Sequence, residues 1–288
     1  MPFAPGGNSD GMGRLIAQHI SESFGQQVVV DNRPGGMGVV AAEAVARAPA
    51  DGYTLFWCAL PHLAIVPAMT KVNYDPVKDF APISDVGTNP FVLVVNPSLR
   101  VTTLKEFVDY VRSQPDRLAY ASGGTGTLTH LSMVLLMKRA DLEMIHVPYK
   151  GGGPAMADVI AGQVKAYFAN LSEAIPQARA GTVRAIAVSS TARAMQLPDI
   201  PTVGESGYPG FRTITWNGLL APAGTPDEIV DKLAHEVSKA VKDPAVIERL
   251  AGYGVDPVGD TPAQFAATIA ADIPLWAEAV KIAAVSVP

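Results

Sequence analysis

A chain of 288 residues is longer than one hydrophobic core usually serves, so two domains are expected. Hydrophobic residues at 48% and charged residues at 17% suit a globular protein, while a net charge of −5 with no Lys/Arg cluster argues against a nucleic-acid partner. No apolar run approaches the ~18 residues of a membrane span.

In chain order, Val28–Val30 reads as a strand and Val39–Ala48 as a helix. Thr54–Cys58 and Phe91–Val95 are β-rich runs, and the single cysteine, Cys58, reads as a buried strand residue. Leu104, Phe107, Val108 and Val111 lie on one face of a helix over Leu104–Arg112, which opens on a capping box of Thr103 and Glu106. Strands at Leu118–Ala121, Met144–Val147, Lys165–Ala169 and Ala185–Ser189 then alternate with helices near 128–139, 154–161 and 172–180. Two such βα series predict two doubly wound α/β lobes with mostly parallel sheets. A connector rich in turn formers occupies 197–210. The remainder is mainly helical, with Thr225-Pro226-Asp227-Glu228 and Thr261-Pro262-Ala263-Gln264 as helix starts. Pro274 is expected to kink or interrupt the last helix.

Three glycine-rich loops precede helices: Pro5-Gly6-Gly7-Asn8-Ser9-Asp10, Pro34-Gly35-Gly36-Met37-Gly38, and Ser122-Gly123-Gly124-Thr125-Gly126-Thr127. A helix amino terminus carries unpaired N–H groups and partial positive charge, so each loop either holds an anion or simply makes a tight turn. The third combines glycine with serine and threonine at the carboxyl end of a strand, where open α/β sheets bind ligands. Gly36–Ala41 matches a dinucleotide fingerprint in letters. However, Asn32–Gly35 separates it from the preceding strand, so no nucleotide is expected. There is no nucleophile elbow, no H-E-x-x-H helix and no metal-ligand spacing among His19, His62, His130, His146 and His235. No cofactor or metal is expected. His62, after a strand, and His130, after the third glycine loop, are the histidines best placed for a ligand. Asp10 is read as a helix cap rather than a repulsive neighbour to an anion.

These blocks resemble the Bug-type solute receptors of tripartite tricarboxylate transporters. The resemblance runs over nearly the whole chain: Pro2–Asp10, Asn32–Gly35, Ala50–Leu55, Tyr74–Phe80, Val147–Gly151, Leu197–Thr202, Trp216–Gly218 and Ala221–Pro226. It implies a type II periplasmic-binding-protein architecture with a cleft between lobes and hinge-like closure. Lobe 1 would hold residues 1–95 plus 213–288, and lobe 2 residues 96–212. The implied ligand is a small carboxylate: a di- or tricarboxylate, an acidic amino acid or an aromatic acid. The implied contacts are Phe3, Gly6, Gly7, Asn8, Asp10, Pro61, His62, Ser122, Gly123, Gly124, Gly126, Thr127, His130, Tyr149 and Asn170. The implied partners are membrane transporter subunits, for a monomeric, periplasmic protein that is not itself membrane-spanning and not an enzyme.

The chain departs from the pattern twice. Met1–Gly7 lacks the basic start and apolar core of a signal peptide, and relatives carry a strand before the Pro-Phe pair. Its loss is expected to remove the centre of the first sheet and expose the apolar face of the helix after Asp10. Leu60-Pro61 stands where relatives often have small polar residues, which points to a ligand with a hydrophobic body. Two rival readings keep the fold: an enzyme using His130 or Lys150 on a carboxylate, and a ligand sensor for a membrane signalling partner.

Overall fold

The repeated change from apolar runs to helical spacing is realised as an α/β protein. The structure is a computed structural model and describes residues 1–114 and 118–286. In chain order the first elements are α1 (Asn8–Phe24), α2 (Val39–Ala46), β1 (Phe56–Ala59), α3 (Val66–Met69) and β2 (Phe80–Val95). The middle holds α4 (Leu104–Ser113), β3 (Ala119–Ser122), α5 (Leu128–Ala140), β4 (Ile145–Pro148), α6 (Gly152–Ile160), β5 (Ala166–Asn170), α7 (Leu171–Arg179) and β6 (Arg184–Val188). The last are β7 (Ile214–Pro222), α8 (Asp227–Ala240), α9 (Pro244–Gly252), β8 (Asp256–Pro257) and α10 (Pro262–Ile282).

The chain divides into two units. One comprises Met1–Thr88 and Thr215–Glu278, with Ser286; the other comprises Asn89–Ile214 and Ala279–Val285. The divisions at Thr88/Asn89 and Ile214/Thr215 fall inside β2 and β7, where the sequence reading had set them at Val95 and Thr213.

In the first unit β1 runs antiparallel to β7, with Phe56 opposite Leu220 and Ala59 opposite Asn217. Midway along β2, Gly87 and Thr88 pair antiparallel with β8. The core joins Met12, Ile16 and Ile20 of α1 to Trp57, Ile83, Leu219, and Val230, Leu233 and Val237 of α8. Each such side chain contributes roughly 1.5–3 kcal/mol by leaving water. The apolar face of α1 is therefore buried, contrary to the exposure expected for it, because α8 packs across it.

In the second unit the strand order is β6–β2–β5–β3–β4. Here β3 is parallel to both β4 and β5, whereas β2 runs antiparallel to β5 and β6. The second unit's sheet is thus mixed, and the pairings β1–β7 and β2–β8 of the first are antiparallel, where mostly parallel sheets were expected; β2 carries the chain from the first unit into the second and enters its sheet antiparallel to both neighbours. Leu104, Phe107, Val108 and Val111 of α4 are buried as their spacing predicts. Both halves of the Thr103–Glu106 capping box are made.

Four local expectations fail for identifiable reasons. Val28–Val30 forms no strand: Val29 is 76% exposed, and the Val28 N–H bonds the Ser21 hydroxyl. Thr225 does not cap α8; its hydroxyl donates to the Pro222 carbonyl, and the helix starts one residue beyond Pro226. Helix α10 runs through Pro274 without interruption, whereas the Thr261–Gln264 box at its start is made in both directions. Strand β2 begins eleven residues before Phe91, at Phe80. Pro82, Gly87 and Pro90 disguise it in the sequence, and the last two lie close to the point where it changes neighbours.

Candidate functional site

In the first unit, the Phe3–Ser9 loop leads into α1. Asp10 is not the cap of this helix. It lies in the first turn, buried at 3% exposure, and reaches backwards. Its Oδ2 accepts from the Gly6 N–H at 2.9 Å and from Arg14 Nε at 2.9 Å, and its Oδ1 accepts from Asn32 Nδ2 at 2.8 Å. Asn32 also donates to the Phe3 carbonyl and accepts from Arg14 Nη2. The Arg14 guanidinium, helped by Gly6 and Asn32, holds the Asp10 carboxyl down to about 2 against the opposing effect of burial. The loop is therefore clamped by a carboxylate whose charge is already balanced.

Gly7 caps α1 with extended backbone and no side-chain bond. The N–H groups of Asn8, Ser9 and Asp10 find no acceptor among the described residues, and the first helical bond runs from Gly11 to Gly7. Ser9 fixes this end: its hydroxyl donates to Asn217 Oδ1 at 2.9 Å, and its carbonyl accepts from Trp57 Nε1 at 2.9 Å. The result is a rigid, open helix amino terminus suited to an anion.

His62 is placed differently from its expected role. It is buried at 7% exposure, its Nδ1 contacts the Ala59 backbone at 3.1 Å (N) and 2.8 Å (O), and Phe3 packs edge-on to its ring at 5.2 Å. Burial pushes its pKa down to about 4. Leu60 beside it is fully buried, so Pro61 and Phe3 are the partly exposed apolar groups here. The sign of the pH effect follows. A folded-state pKa below the ordinary 6.5 favours the neutral ring, so its stabilising contribution is complete above 6.5 and is lost as pH falls through about 4. Thermal melts should show Tm falling over that window, and less so in a His62→Leu variant.

In the second unit, the carboxyl ends of β3, β4 and β5 lie next to one another and are followed by the starts of α5, α6 and α7. The start of α6 is already matched by a protein carboxylate: a Cβ on Gly152 would collide with Glu173, whose Oε2 accepts from the Tyr167 hydroxyl. Tyr149 donates to Asp158 at 2.6 Å; burial and that carboxylate raise its pKa to about 12. Asn170 precedes α7 without making a cap bond, and Lys150 is exposed.

The Ser122–Thr127 turn uses most of its own backbone donors. The N–H groups of Gly123, Gly124, Gly126 and Thr127 are all engaged internally, by Thr129 Oγ1 (2.9 Å), Ser122 Oγ (3.1 Å), His130 Nδ1 (3.1 Å) and the Gly124 carbonyl (3.3 Å). Those of Thr125, Leu128 and Thr129 have no acceptor among the described residues. His130 is buried and stacks on His146 with ring centroids 3.8 Å apart and 9° between planes. His146 Nε2 lies 2.7 Å from Ser122 Oγ.

The residues missed by sequence reasoning are Ser9, Arg14, Asn32, Thr129, His146 and Asn217. Arg14 stands four residues after Asp10 and had a local signal; Asn32, His146 and Asn217 reach the site from other elements and had none. Among the described residues no three His, Cys, Asp or Glu side chains gather as a metal site, and no helix is long and apolar enough to cross a membrane.

A family model described as "Tripartite tricarboxylate transporter family receptor" matches residues 12–283. BugT of Bordetella pertussis is 36% identical over 283 residues, covering 98% of this chain and 87% of that protein. A Rhodopseudomonas palustris protein solved with adipate superposes with a TM-score of 0.78 at 35% identity, covering 99% of this chain and 96% of that one. MatC from the same organism, solved with bound malate, gives 0.74 at 35% identity over 97% and 96%. With its mixed α/β units and these relatives, the chain belongs to the tripartite tricarboxylate transporter receptor family as a Bug-type solute-binding protein.

Proposed function

We propose that this protein captures a small organic carboxylate in the periplasm for membrane subunits of a tripartite tricarboxylate-type transporter, without chemical turnover. The two units would be its two ligand-binding lobes. The observation that carries the reading is the open start of α1. Three N–H groups without an acceptor among the described residues follow a clamped loop, in a chain 35% identical over 99% of its length to a protein solved with adipate.

Each unit offers its own donor set. In the first these are Asn8, Ser9 and Asp10 N–H with the Asn8 amide, beside Phe3, Gly6, Gly7 and Pro61. In the second they are Thr125, Leu128 and Thr129 N–H and the Asn170 amide, with Ser122, Gly123, Gly124, Gly126, Thr127, His130 and Tyr149 shaping their surroundings. Asp10 and His62 act from behind the first loop. A micromolar ligand requires about 8 kcal/mol, and charge-assisted hydrogen bonds contribute roughly 1.5–3 kcal/mol each, so five or six of these donors suffice before entropic costs. Phe3 and Pro61 favour a ligand with an apolar body between its polar ends.

Calorimetric titration with malate, adipate, glutamate and benzoate tests the reading. Binding of at least one is expected, with about tenfold or greater loss in Gly126→Asp, which sets a carboxylate at a position with φ +77° beside the α5 start. Unchanged affinity in that variant removes the turn from the site. Absence of binding by all four acids overturns the carboxylate class these probes represent.

A further inference from the structure

The Gly123–Thr127 turn is held by side chains as well as by backbone bonds, in which the Gly151 N–H donates to the Gly123 carbonyl at 3.0 Å and the Thr127 N–H to the Gly124 carbonyl at 3.3 Å. Gly124 and Gly126 have φ of +136° and +77°. Ser122 Oγ accepts from the Gly124 N–H and donates to the Gly124 carbonyl, both at 3.1 Å, and Thr127 Oγ1 donates to that carbonyl at 2.7 Å. The Ser122 hydroxyl proton is then committed, so His146 Nε2 is the donor across the 2.7 Å contact to Ser122 Oγ. His130 Nδ1 must be the unprotonated nitrogen, because it accepts the Gly126 N–H at 3.1 Å. Behind the two rings, Tyr120 completes the stack at 5.1 Å from His146.

We propose that Ser122, His146 and His130 are positioning residues that hold this turn with the Thr125, Leu128 and Thr129 N–H groups free for the ligand, and that they do so only while the His130 ring is neutral. The proposal rests on the carboxylate-binding reading above. Protonating His130 places an N–H against the Gly126 N–H, and that bond is lost. Protonating both rings sets two cations face to face at 3.8 Å. The groups facing the stack are Tyr120 from β3 and each imidazole toward the other. Tyr167 of β5 lies behind Thr129, Glu173 of α7 bonds Tyr167, and Asp158 of α6 is held by Tyr149. Burial holds both histidines below their ordinary value. His130 is pushed down to about 4, with the His146 charge as the second cause. Its neutral-ring contribution is complete above 6.5 and is lost as pH falls through about 4, which puts an acid limit on binding.

The test uses the full chain labelled with nitrogen-15, free of ligand, titrated from about pH 7.5 to about pH 3, a range that spans the His130 transition. The same series is run by calorimetry with malate and adipate, on the parent and on His130→Gln and His130→Phe. The Gly126 amide resonance should move together with the His130 ring. Affinity in the parent should fall about tenfold more across the range than in His130→Gln, whose amide oxygen can accept the Gly126 N–H but does not titrate. Protonation of the acids themselves is common to both proteins and cancels. His130→Phe keeps a stacked ring without an acceptor and should bind more weakly than His130→Gln at neutral pH. Parallel pH profiles for parent and His130→Gln, or a Gly126 amide indifferent to His130 titration, overturn the proposal. If neither acid binds at any pH, the carboxylate reading fails, and the Gly126 amide still decides this one.

Discussion

Replacing Asp10 with alanine is expected to destabilise the first unit by about 3 kcal/mol and to weaken carboxylate binding at least tenfold. Three bonds converge on a group that is 3% exposed, and their loss leaves the Gly6 N–H without its acceptor and the Asn32 amide with the Phe3 carbonyl alone. The Arg14 side chain is 48% exposed, so water screens the ion pair, and most of the effect comes from the Gly6 and Asn32 bonds to the buried carboxylate. Affinity falls because the loop must then be ordered by the ligand itself. Asp10→Asn should lie between parent and alanine, since it keeps one acceptor. The carboxylate's contribution is complete above pH 3.8 and is lost only as pH falls through about 2, so the penalty should be constant near neutrality. Urea unfolding and calorimetry on the three proteins measure it. A loss below about 1 kcal/mol would mean that the clamp is incidental.

Gly38→Ala is the second large effect, at about 3 kcal/mol and about 5–10 °C in Tm. Gly38 has φ +92°, which costs an L-residue about 1 kcal/mol. The larger part is steric. A Cβ there would overlap the His62 ring, come within 2.7 Å of its Nε2 and lie 3.1 Å from Pro2 Cβ. His62 cannot move aside cheaply, because it is buried between Ala59, Phe3 and Phe56. Gly252→Ala is the control: nothing lies within 4 Å of its added carbon, and it should change stability by no more than about 0.5 kcal/mol. Equal melting of the two variants would show that His62 is loosely held.

How much of this was legible depended on the distance over which each residue finds its partner. The Thr103–Glu106 box was readable because both bonds close within three residues. The Ser122–Thr127 turn was readable as a site candidate because glycine, serine and threonine crowd between an apolar run and a helix. Which of its N–H groups stay open was not readable, because the acceptors that use up Gly123 and Gly126 are side chains on the following helix, Thr129 and His130. Thr225 shows that a capping signature can be outvoted locally, since its hydroxyl found the Pro222 carbonyl first. Val28–Val30 has strand composition, but β propensity needs a neighbouring strand and a buried face, and Val29 has no buried face.

By itself the sequence determined the α/β class, most helix positions, and the placement of glycine turns at helix starts, all of which follow from periodicity and contacts a few residues long. Its ordered motifs also carried the family. Only the tertiary structure decided that Asp10 is a clamp closed by Asn32, that His62 is a packing residue, and that His130 and His146, sixteen positions apart, form one stack. Those outcomes depend on which elements lie side by side. That is set by the burial of whole helix faces and sheet surfaces, and no short stretch of sequence contains it.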